Sequence, residues 1–206
     1  MEDQGPGTDP TDAGAAPSRG DPAERQELLA AMLDVAGERG YRGASVAAVT
    51  ARAGVDPAHF ERHFSDPADC FAAAYEMAVR PRETALVELA AAADGREAAA
   101  SAALTYLAIL LTRHPSQGRA VLVEVYVAGG AALAIHQEVL ERLSRAVAGA
   151  CRETDPSRHD PPPLTAGFIV GGIEESLRRR LAERRESELW GDLPELSSFL
   201  LGGRRG

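Results

Sequence analysis

Helix starts crowd the first third of this chain. Ser45, Asp56-Pro57 and Asp66-Pro67 each place a capping side chain at a helix entrance, and the two Asp-Pro pairs add a proline whose φ already suits the first helical position. Helices that begin so close together are too short to hold themselves up, so they must pack on a longer one. Asp21-Pro22-Ala23-Glu24 opens that longer helix, with Leu29, Met32, Leu33 and Ala36 at helical spacing and Gly40 as its stop. Ser45 then caps a short helix carrying Val46, Val49, Thr50 and Ala53 on one face, and Gly54 ends it. The next short helix buries Phe60 and Phe64, one turn apart.

The rest reads as longer helices. Helix four runs from Pro67 toward Ala93 with a bend or break expected at Pro81. Arg96 to His114, Gln117 to Val127, Ala131 to Arg152, Leu164 to Arg185 and Leu193 to Leu201 follow. No period-two alternation appears, so the expected fold is all-α with about nine helices. A polar, proline-rich loop covers Asp155 to Pro163, and residues 1–24, nearly devoid of large apolar side chains, read as a disordered acidic tail. Cys70 and Cys151 lack C-x-x-C spacing and read as small buried hydrophobes.

Charge restricts the function classes. All 22 cationic side chains are arginine, and the net charge is −9. The tail holds −5 of it and residues 25–80 only −2, so the bulk acidity does not exclude a nucleic-acid partner. No signal peptide or membrane-length apolar run is visible, and the chain is expected to be soluble, cytoplasmic and without a membrane partner. No nucleophile-elbow, Walker, zincin or dinucleotide-binding glycine motif occurs, so neither an enzyme nor a cofactor is expected. His59-x-x-x-His63 lacks a third ligand within one turn on its face, and no metal site is expected.

Two short helices joined by a tight glycine turn and packed on a preceding helix describe a helix-turn-helix. With Phe60 and Phe64 turned inward, Pro57, Ala58, His59, Arg62 and His63 are left as base and phosphate candidates. In helix eight, Gly171 and Gly172 cost helix stability that close approach by another helix offsets, and Phe168, Leu177 and Phe199 extend that contact surface. Arg178, Arg179, Arg180, Arg184 and Arg185 alternate with glutamates and read as a solvated, salt-bridged face.

The stretch Gly40-Tyr41-Arg42-Gly43-Ala44-Ser45-Val46, followed by Arg52-Ala53-Gly54-Val55 and Phe60-Glu61-Arg62-His63-Phe64, resembles the DNA-binding domain of tetracycline-repressor-like (TetR/AcrR) regulators over about residues 25–80. Four positions depart from that pattern: Glu61 stands where a phosphate-contacting Tyr is usual, Pro67 where a Lys is usual, Ala36 where helix one usually has an aromatic, and Thr50 where helix two usually has a small Ala. The resemblance implies a DNA-binding domain over 25–70 and a ligand-binding and dimerisation domain over 71–206. It also implies a homodimer joined through helices eight and nine. Arg42, Ser45 and Arg52 join the expected DNA contacts, the arginines and the helix-two start facing phosphates. A cavity among helices four to seven is implied, with Tyr75, Tyr106, Leu110, Val125, Tyr126 and His136 as candidate ligand contacts. The expected function is a ligand-responsive transcriptional regulator, a repressor released from a palindromic double-stranded operator by a small apolar effector. The alternative is a helical dimer of the same fold that binds a small molecule or protein and carries a vestigial helix-turn-helix.

Overall fold

The computed structural model describes residues 21–153 and 163–200, which are helical with no strand among them. The first 20 residues of the acidic tail, the polar loop, the Cys151 side chain and Leu201 lie outside the described residues. Helix α1 (Pro22–Arg39) begins inside the last residues assigned to the tail, with the Asp21 carboxylate accepting from the Ala23 amide. It buries Leu28, Leu29, Met32, Leu33, Val35 and Ala36. Helices α2 (Val46–Ala53) and α3 (Pro57–His63) pack beside it, capped by Ser45 and Asp56. Gly54 makes the tight turn between them in the left-handed region, φ 71°, which a side chain would strain.

Helix α4 (Pro67–Ala92) is capped by Asp66, whose side chain accepts from the Asp69 amide at 2.8 Å. It runs through Pro81 as one helix, so the break expected as one outcome there does not occur. The turn there gains side-chain bonds: the Arg82 guanidinium donates to the Ala78 carbonyl and the Thr84 hydroxyl to the Arg80 carbonyl. Helix α5 (Arg96–Arg113) folds back on α4. Helix α6 (Pro115–Ala128) contains one wider π-helical turn at Ala120–Glu124 and meets α7 (Gly130–Glu153) at 120° across Gly129. Helix α8 (Pro163–Ala182) ends earlier, and α9 (Leu189–Leu200) begins earlier, than their patterns predict.

Two apolar cores result. One joins α1 to α3 with α4, α6 and α7 and holds Phe60, Phe64, Phe71 and Cys70, whose thiol burial pushes up to about 12. The other unites α5, α8 and α9 around Leu104, Leu181 and Leu189. No single helix among the described residues is long and apolar enough to cross a membrane.

Candidate functional site

The exposed edge of α3 is narrower than its helical wheel suggests. Pro57, Ala58, Glu61 and Arg62 are exposed, whereas the two histidines turn toward the start of α1. His59 Nδ1 lies 3.0 Å from Glu24 Oε1, and His63 Nε2 lies 3.4 Å from Glu24 Oε2. Those bonds, the His59 one first, hold the Glu24 carboxyl below the usual carboxylate range. The His63 side chain is only 3% exposed, so it is a structural bridge to α1 and not part of an open reading face. Arg52 is likewise engaged. Its Nη1 donates to Glu38 Oε1 at 3.0 Å, Nη2 bonds Glu38 Oε2, and Asp34 stands 3.8 Å away. Arg42 is exposed beside the α2 entrance, where the Ser45 hydroxyl is occupied in accepting from the Ala48 amide. Of the arginines expected to contact DNA, Arg42 and Arg62 thus face outward without an acidic partner among the described residues.

Contacts from the C-terminal helices close the end of α1, whose last carbonyls have no intrahelical donor. Arg119 Nε donates to the Gly37 carbonyl at 2.8 Å, Arg184 to the Glu38 carbonyl at 3.3 Å, and the Tyr41 amide to Glu124 at 2.7 Å. Arg119 is 8% exposed and has Glu186 at 3.7 Å. Gly37 permits this junction: a Cβ there would fall 1.8 Å from the Ser116 carbonyl oxygen of α6.

A cavity of about 280 Å³ opens between α4, α5, α6, α7 and α8. Val79, Leu86, Leu104, Leu107, Leu111, Val121, Val139 and Leu177 supply its apolar wall. Helix α4 serves both halves, with Cys70 and Phe71 in the first core and Tyr75, Val79, Arg82 and Leu86 on the cavity wall. One polar cluster on that wall is internally satisfied. The Tyr75 hydroxyl lies 2.6 Å from His136 Nδ1, His136 Nε2 2.9 Å from Glu174 Oε1, and the Tyr126 hydroxyl 2.6 Å from the same oxygen. A carboxylate only accepts, so the imidazole proton belongs on Nε2, and Tyr75 donates to Nδ1. Burial drives the Tyr75 phenol well above its ordinary range and keeps it a neutral donor.

Residues 28–74 match the family described as bacterial regulatory proteins, tetR family. Residues 28–74, which hold most of α1 together with α2 and α3, are thus similar to a tetR-family domain. The TetR-like chain also superposes on solved structures along nearly its whole described length. The fatty acid degradation regulator FadR from Bacillus halodurans shares 16% identity at a TM-score of 0.75, over 87% of this chain and 99% of that one. The transcriptional regulator FadR from Bacillus subtilis, crystallised in complex with stearoyl-CoA, gives 15% and 0.75 over the same shares. A transcriptional regulator from Rhodococcus gives 24% and 0.64, over 87% and 96%. These likenesses establish a shared fold. No curated protein sequence matches the chain significantly.

Several expected positions of the TetR-like chain are redistributed. Tyr75, Leu110 and His136 line the cavity, but Tyr106 does not, Val125 is buried in the first core, and Tyr126 lies mostly outside with its hydroxyl turned in. Along α8, Phe168 is 73% exposed and Gly171 has open space beside it, while Phe199 is half exposed. Leu177, at 4%, belongs to the chain's own second core and is unavailable to a partner. Gly172 is approached within the chain, since a Cβ there would stand 3.0 Å from the Phe199 ring. Sequence reasoning missed Arg82, Gln117 and Arg119; the Arg82–Gln117 and Arg119–Gly37 contacts join segments 35 and 82 residues apart and leave no local pattern.

Proposed function

We propose that this TetR-like protein is a ligand-responsive transcriptional regulator that acts as a repressor. In this reading a homodimer, joined over Phe168, Gly171 and Phe199, presents two α3 helices to successive major grooves of a palindromic operator, roughly 34 Å apart. A small effector with an acyl-type chain occupies the cavity and releases the DNA. The observation that carries the proposal is the sharing of α4: one helix lines the cavity and anchors the reader core. The stearoyl-CoA bound to the Bacillus subtilis neighbour supports an acyl-type effector. The cavity, about 280 Å³ with a largely apolar wall, suits an apolar chain. For release to follow, the effector must bind the non-DNA-competent arrangement more tightly than the other.

The Glu38 clamp on Arg52 and the Glu24 bridge to both histidines favour a second reading, a helical dimer whose helix-turn-helix no longer binds DNA. Selection of bound sequences from random duplex DNA at about 50 mM salt separates the two. A palindromic consensus displaced by medium-chain acyl ligands supports the regulator. Absence of any consensus favours the vestigial reader.

A further inference from the structure

Among the described residues, two arginines on the cavity wall, Arg82 and Arg96, lack a carboxylate partner, and Arg82 is the one that protein hydrogen bonds hold in place. Glu174 is bonded to His136 and Tyr126, and Glu83 to Arg142, with Arg80 at 3.7 Å. Arg82 faces no carboxylate among the described residues. Of the five N–H donors an arginine offers, one reaches the Ala78 carbonyl at 2.6 Å and one the Gln117 side-chain oxygen at 3.2 Å. The remaining three have no protein acceptor among the described residues. Arg82 is partly buried among apolar side chains, so it loses part of its hydration, and an anion in the cavity would offset that loss. Burial accordingly pulls the Arg82 guanidinium below the ordinary arginine range, with no carboxylate to offset it.

Resting on the effector-cavity reading above, we infer that Arg82, steadied by Gln117, is the anchor for the carboxylate of an anionic amphiphile whose alkyl chain fills the apolar cavity. The fork of a guanidinium suits a planar carboxylate in a bidentate pair. The satisfied Tyr75–His136–Glu174 cluster lies two helical turns back along α4, roughly 10 Å away. That end of the cavity presents a carboxylate of its own and repels an anion, which fixes the ligand's polarity: acid group at Arg82, chain along Leu86, Leu104 and Leu107.

Calorimetric titration of the full-length protein with decanoate, decanol and decanoyl-CoA, each below its aggregation threshold, tests the assignment. Decanoate is expected to bind at least tenfold more tightly than decanol, the scale of a charge-assisted hydrogen bond. Arg82→Met is expected to erase that preference while retaining decanol binding, and Arg82→Gln does the same should the Met variant fail to fold. Equal wild-type affinity for decanoate and decanol overturns the inference, as does a preference that survives in the variants. Decanoyl-CoA binding more tightly than decanoate and indifferent to Arg82 overturns the carboxylate assignment but leaves the acyl cavity standing. Binding by none of the three removes the cavity reading as well.

Discussion

Arg119 of α6 donates through Nε to the carbonyl of Gly37, 82 residues earlier, at the point where α1 ends. The bond ties the reader domain to the cavity domain through a group that neither half satisfies alone. Arg119→Met leaves a buried carbonyl without a donor and removes the positive group nearest Glu186, at a cost of about 2 kcal/mol in urea denaturation. Gly37→Ala forces a Cβ onto backbone atoms of Ser116 and costs about 3 kcal/mol or more. An unchanged unfolding midpoint in the alanine variant would mean that α1 and α6 are not in this contact.

On the reading helix, Arg62 and His63 are expected to separate by phenotype. Arg62→Ala weakens operator binding roughly tenfold in fluorescence anisotropy and leaves thermal stability unchanged. His63→Ala costs about 1 kcal/mol of stability, because it removes the packing of a buried imidazole, and affects DNA affinity less. Comparable losses of affinity in both variants would restore His63 to the reading face.

Phe168→Glu places a charge at the centre of the exposed α8 face and is expected to yield monomers in sedimentation velocity. Leu177→Ala is expected to lower stability without changing the sedimentation coefficient, since Leu177 packs inside its own chain. A Phe168→Glu variant that stays dimeric places the two-fold contact elsewhere.

Acid sensitivity follows from Glu174. Burial pushes its carboxyl upward, yet the hydrogen bonds from His136 and Tyr126 outweigh that and leave it below the ordinary 4.5. A depressed carboxyl stabilises the folded chain fully above its unfolded value, and the contribution disappears as pH falls through the folded value. Urea unfolding at pH 7 and pH 4 should show a smaller acid loss for Glu174→Gln than for the wild type. Equal losses would assign the acid limb to other carboxylates.

What could be read from sequence was what local chemistry decides. The Asp21, Asp56 and Asp66 caps, the Gly54 turn and the Phe60–Phe64 pair depend on neighbours within a few residues, and all were legible. The turn of His59 and His63 toward Glu24, which buries His63, was not legible because that carboxylate lies 35 and 39 residues upstream. Val125 and Leu177 illustrate a different limit. On helices with apolar residues around most of the circumference, periodicity does not say which faces meet a core, a cavity or a partner. Arg82 left no trace, since a basic residue after a proline reads as surface until the surrounding helices are in place.

The unbroken course of α4 through Pro81 makes that helix a lever. Arg82 stands fifteen residues from Pro67, roughly 22 Å at the helical rise, so a tilt of about 5° at the cavity end displaces the other end by about 2 Å. Hydrogen bonds to base edges tolerate only a few tenths of an ångström. Under the proposed function, a side-chain-sized adjustment around a ligand is therefore expected to become a loss of register on DNA through this one helix.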